Sequence, residues 1–364
     1  MSSRFWKKIN IFLVGLLAVG LILTSLGSLA PSGNSQDYFF EIAKGNRPGH
    51  KLLAKFGENP NIQTGGPETI WDGGGVYAPP TAARIHNIVS SLAADAGQII
   101  SSGNATGGSL ISLEDDFATF QVDGVAIGDF LLNDENVELG VVTGIVSESE
   151  LALVRAMRDP ELGLDGQANE FNDAYRVVRD NGAGASILYL FGHSPAFLEQ
   201  REFVVLNGLT DVPTEKSYIR QQRARVFASA SSGALGLITS TTIGETVETV
   251  SLQIINGNNQ TMMALATIPI NKIGLVTRWY AQVSKKQSIS SIVDLRIGQL
   301  DLNKPGYITQ RRSLQTLGTS AFDHKFSPAL VLPGGSDIWI EADTDSNGTG
   351  IAAGFDIIII NVLE

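Results

Sequence analysis

From about residue 185 onward, hydrophobic and polar positions alternate in short runs broken by glycine, asparagine and proline. Val293, Leu295 and Ile297 fall on one side of such a run, and Asp294 and Arg296 on the other. Ile338, Ile340 and Ala342 do the same against Asp337 and Glu341. A period of two is the mark of a strand with one covered face. Strands are predicted at 186–191, 202–206, 218–229, 234–240, 247–255, 262–268, 277–284, 291–298, 337–342 and 355–362. The last, with Ile357 to Ile360 unbroken, reads as a central strand covered on both faces. The stretch 201–229 organises the rest: an apolar run, a loop rich in turn formers, then a return on which Arg223 and Arg225 alternate with Ala224 and Val226. That alternation predicts one wet face.

The fold class predicted is therefore all-β, an antiparallel β-sandwich or jelly-roll body. Residues 37–102 form its first part. Between about 37 and 80, glycine and proline leave room for short elements only, and Trp71 to Gly75 reads as a loop pinned by its tryptophan. Residues 103–180 read as an inserted, small β-rich subdomain, with strands near 120–125, 129–132, 139–142 and 144–146. The stretch 148–158 reads as a helix, begun by Ser147, Ser149 and Glu150. The sandwich body resumes over 181–364.

Residues 1–36 stand apart. Arg4, Lys7 and Lys8 precede an almost wholly apolar, uncharged run at 9–30. About 20 apolar residues span a bilayer. The run reads as an N-terminal apolar helix that anchors the chain, its basic flank cytoplasmic, or as a signal peptide cut after Ser28 and Ala30. Pro31 and the length of the run favour the anchor.

Composition narrows the chemistry. The chain has 364 residues, 39 glycines, no cysteine and a net charge of −11. The missing cysteines exclude disulfides and thiolate metal sites, and the acidity argues against a nucleic acid partner. His50, His86, His193 and His324 lack any metal-ligand spacing. Gly192-His193-Ser194-Pro195-Ala196 approaches the nucleophile elbow of hydrolases, but Pro195 lacks the N–H that the oxyanion hole needs. Asp343, Asp345 and Asn347 match the first half of a calcium loop, yet position 354, where its bidentate glutamate belongs, is Gly354. They stand as a weak calcium candidate. No catalytic residues and no other cofactor are predicted.

Several segments carry a family likeness: DYFFEIAKGN at 37–46, KFG at 55–57, IWDGG at 70–74, VSSLAADAG at 89–97, VVLNG at 204–208, NGNNQT at 256–261, WYAQVSKK at 279–286 and GGSDIWIEA at 334–342. They resemble a family of virion structural proteins of tailed bacteriophages and prophages, marine podovirus-like ones especially. The resemblance implies a non-enzymatic place on the virion surface, as a head decoration, fibre or tail-associated protein. It also implies other virion proteins as partners. Strand edges that need covering suggest a homo-oligomer, a trimer among the forms it could take. The run before Asp37 departs from the family pattern. It keeps a second reading open: a cell-envelope or exported β-sandwich module that binds a host-surface glycan or protein.

Overall fold

The computed structural model describes residues 35–109, 111–157, 173–180, 183–229, 233–245, 248–285, 290–299, 312–317 and 321–362. The apolar run at 9–30 lies outside them. Among the described residues no helix is long and apolar enough to cross a membrane. The chain divides into two compact units, residues 1–48 and 49–364.

The first unit contributes helix α1 (Ser35–Ala43). It ends where Gly45 turns into the left-handed region, at φ 76°, a conformation glycine adopts without strain. An irregular path was expected here.

The second unit is all-β. Its strands are, in order, β1 (His50–Ile62), β2 (Glu68–Thr69), β3 (His86–Ser90), β4 (Gly97–Asn104), β5 (Gly107–Ser109), β6 (Ser112–Glu114), β7 (Phe130–Asn133), β8 (Glu138–Ile145), β9 (Glu150–Met157), β10 (Ala174–Asp180) and β11 (Ala185–His193). There follow β12 (Glu199–Val205), β13 (Val212–Pro213), β14 (Arg220–Ser229), β15 (Ile238–Thr242), β16 (Val250–Ile254), β17 (Leu265–Thr267) and β18 (Lys272–Lys285). The series closes with β19 (Ser290–Gln299), β20 (Arg312–Leu317), β21 (Ala321–Leu332), β22 (Ser336–Thr344) and β23 (Thr349–Asn361). One turn of helix, α2 (Phe120–Asp123), interrupts them.

Two antiparallel sheets, β1-β23-β18-β21 and β17-β22-β19-β20, close on one core. Ile351, Phe355 and Ile357 of β23 and Trp279 of β18 meet Ile338 and Ile340 of β22 there. β23 lies between β1 and β18, and Ile357, Ile358 and Ile359 of its apolar run are all buried. A second pair, β12-β11-β14 and β13-β3-β15-β16, encloses Leu188, Leu190, Ile238 and Leu252. The opposite face of β11 packs Ile187, Tyr189 and Phe191 on Leu132, Leu139 and Val178. These last three belong to a seven-stranded sheet, β4-β10-β7-β8-β9-β6-β5, that uses the strands described between 97 and 180. β11 is thus the middle of three layers, and all nine of its residues are buried.

Four expectations are corrected. The 120–125 run is helical at α2, not a strand, and Gly124 stops it at φ 81°. The stretch 148–158 is not helical over its described part: β9 pairs with β8 and β6, so the ladder overrides the helix preference of its Leu, Ala, Arg and Met. The 37–80 region holds the 13-residue strand β1. The polar face of β14 is not wet, because Gln221 and Arg223 are buried and Arg223 Nη2 donates to the Ala54 carbonyl of β1 at 2.7 Å.

Candidate functional site

An open polar concavity lies on the seven-stranded sheet. Its floor is the end of β4, and its wall is the segment from Asp115 through α2. Phe120 anchors the wall: it is fully buried, its ring centroid 6.0 Å from that of Tyr175. The Glu148 carboxylate accepts from the N–H groups of Gln121 (3.0 Å) and Val122 (3.4 Å), satisfying donors that a helix start leaves free. The resulting groove has a volume of about 430 Å³, within the range of small-ligand sites.

Two carboxylates are fixed in it. Asp115 is 3% exposed; it accepts the Tyr175 hydroxyl at 2.7 Å and the Phe117 N–H at 2.9 Å. Burial, and then Asp115 itself, pushes the Tyr175 phenol up, so it stays a donor. Asp123 accepts Ser101 Oγ at 2.8 Å and Thr119 Oγ1 at 3.0 Å. A Cβ on Gly103 would sit 2.5 Å from Asp115 Oδ2 and 2.8 Å from the Tyr175 hydroxyl, so only glycine leaves the floor open. Phe117, 88% exposed, stands at the rim. Among the described residues no basic side chain lines the groove.

A second cavity, about 190 Å³, lies between β14, β17 and β22 under the 71–80 loop. Arg220 pairs there with Asp337 at 3.1 Å and donates to the carbonyls of Pro80 and Ile219. Thr267 donates to the same carboxylate at 2.6 Å. The Tyr77 hydroxyl is buried without a partner, and burial pushes its phenol up. The loop is pinned by Trp71, as its sequence predicts. Trp71 is 5% exposed, and a Cβ on Gly73 would lie 2.2 Å from its ring. Gly73 serves that packing, while Gly74 and Gly75 take the left-handed turn, at φ 68° and 64°.

The residues singled out from sequence are not drawn together. Asn347 Oδ1 accepts the Thr64 N–H at 2.7 Å and its hydroxyl at 2.9 Å, tying the β22–β23 turn to a neighbouring loop. Asp343 faces Ile292 across the ladder, and Asp345 is exposed. Gly354 lies within β23. Among the described residues no group of three or more His, Cys, Asp or Glu is placed to hold a metal. His193 closes β11 fully buried, its Nδ1 3.1 Å from Gln222 Nε2. Burial holds its imidazole down to about 4. Ser194 closes a tight turn, its N–H on the Leu198 carbonyl.

The groove residues Ser101, Asp115, Phe117 and Asp123 were not singled out by sequence reasoning. The usable signal was an aromatic stranded among acidic and turn-forming residues, EDDFATF at 114–120.

No family model and no curated protein match this chain. Among solved structures, one described as "Structure of infectious bursal disease virus Gx strain" aligns at 11% identity, covering 86% of this chain and 81% of that one. Its TM-score is 0.12, too low to carry any argument.

Proposed function

We propose that this chain is a non-enzymatic structural component of a phage-like virion surface, a head decoration, fibre or tail-associated protein, that works as a homo-oligomer. Its paired sheets are read as a jelly-roll sandwich with the seven-stranded sheet inserted. The carrying observation is where exposed apolar side chains concentrate. Ile111, Val122, Ile127, Val146 and Val154 all belong to the seven-stranded segment, with exposures from 54% to 80%. The bonds from Phe120, Gln121 and Val122 to Glu148 bring the α2 segment beside the turn that carries Val146. The proximity of Val122 and Val146, with further exposed apolar side chains in the same segment, supports an interaction surface, and a second copy of this chain is the proposed partner. The sequence resemblance points the same way.

Light scattering of the full chain should give an oligomer, and Val122→Asp with Ile127→Asp should dissociate it. A wild-type monomer at micromolar concentration would overturn the oligomeric reading. Mass spectrometry of purified particles and separated host membranes, searching for peptides from residues 10–36, tests the location and the anchor. A specific observation favours a second reading as well. The open groove with a rim aromatic suits a surface module that recognises a host glycan or protein.

A further inference from the structure

We propose that the groove between β4 and the 115–123 segment binds a saccharide that carries free hydroxyls and no acidic group. The proposal rests on the surface-recognition reading above and supplies the ligand's chemistry. A pyranose presents two surfaces, a rim of hydroxyls and a face of C–H bonds. The groove has a counterpart for each. Asp115 and Asp123 are acceptors already aimed by two donors apiece, each with lone pairs to spare for vicinal hydroxyls. Phe117 offers an apolar plate at the rim, ready to cover a C–H face.

The charge selects within the class. Two carboxylates and, among the described residues, no basic side chain in the lining would repel a uronate, sialate, sulfate or phosphate. Neutral and amino sugars remain. A lysine or arginine peptide would use the carboxylates alone. The groove also presents Ser102, Asn104, Thr106 and Thr119, neutral groups that suit a many-hydroxyl ligand better. The floor is preorganised rather than adaptable: Asp115 is buried and accepts two hydrogen bonds, and Gly103 keeps the approach clear.

The test is calorimetric titration of the full chain with methyl glycosides and disaccharides of glucose, galactose, mannose, N-acetylglucosamine and glucosamine. Sialyllactose, a hyaluronate oligomer and hexalysine are run beside them. At least one neutral or amino sugar should bind, with sialyllactose and hyaluronate silent. Phe117→Ala, which removes an exposed side chain and leaves the fold intact, should weaken binding about tenfold. Gly103→Ala should weaken it too, with melting checked to confirm folding. Hexalysine binding without sugar binding, no response to any neutral or amino sugar at millimolar concentration, or unchanged affinity in Phe117→Ala would each overturn the proposal. Host-cell labelling separates the two levels. If Phe117→Ala labels cells like wild type, surface recognition stands and the groove falls; if wild type labels no cells, the recognition reading itself falls.

Discussion

Asp72 is a carboxylate in the wrong place for its charge, and replacing it with asparagine should change how stability depends on pH. Its side chain is 7% exposed. Oδ2 accepts the Met262 N–H at 3.2 Å, while Oδ1 has no partner. Burial raises its pKa from 3.8 to about 7, against the smaller opposing pull of the Met262 N–H and the buried Lys55. The folded protein therefore holds a proton that the unfolded chain has released between pH 3.8 and 7. Stability falls as pH rises through that window, and the full cost is present above it. A rise of that size corresponds to about 4 kcal/mol. An asparagine side chain cannot ionise, so Asp72→Asn removes that slope. The amide's N–H group takes the place of the unpartnered oxygen and costs about 1–3 kcal/mol at every pH. The variant should thus be level with or below wild type at pH 5 and gain about 2–4 kcal/mol relative to it by pH 8. Urea unfolding at half-unit steps from pH 5 to 8.5 measures the difference. Parallel curves for the two proteins, within about 0.5 kcal/mol, would refute the claim that Asp72 is protonated by burial.

Three further outcomes follow from the packing. His86 is buried, with Nε2 2.9 Å from Ser251 Oγ and its pKa lowered to about 4 by burial. Its neutral form contributes stability that is lost as pH falls from 6.5 towards 4, and His86→Gln should flatten acid unfolding there. Phe355→Ala empties the centre of the β18–β22–β23 core, where Phe355 has no exposure, and should cost about 3–5 kcal/mol in urea melts. Gly57→Ala places a Cβ 2.3 Å from the Ala264 nitrogen and 2.6 Å from the Ile70 carbonyl. Because both are backbone atoms, it should cost at least about 1–3 kcal/mol, and a variant that melts with wild type would show that β1 and the 264 segment are less closely apposed.

Strands with one apolar face were legible because pattern and burial agree. β22 alternates buried and half-buried residues from Ser336 to Thr344, as its sequence says it should. β1 hides for the opposite reason. Its covered face carries Lys55, Gly57 and Asn59 along with Leu53, and its open face carries Leu52 and Phe56. Neither period nor composition marks it as a strand. What makes that face tolerable lies far away in sequence: Lys55 donates to the Gln222 carbonyl, and Asn59 to Glu68 and the Thr69 carbonyl. Gly57 is needed for close approach, and Pro60 falls where the register with β23 shifts, so the missing N–H breaks no ladder.

The same logic explains why the groove was not legible while its parts were in plain view. Asp115 and Phe117 are two residues apart, but Ser101, Gly103 and Tyr175 reach them only because β4 and β10 pair, with Tyr175 opposite Gly103. That pairing joins strands some 70 residues apart in the chain, and no local pattern announces it. A glycine in a strand and a phenylalanine in an acidic loop each read as noise alone. Side by side, one opens the floor and the other roofs the rim. Gly103→Ala and Phe117→Ala should then act on one ligand, the first by displacing the Asp115 carboxylate and the second by removing the plate. Their effects on binding should be less than additive if both shape the same bound pose, since contacts within one site couple. Full additivity would instead place Phe117 outside the pose that Asp115 defines.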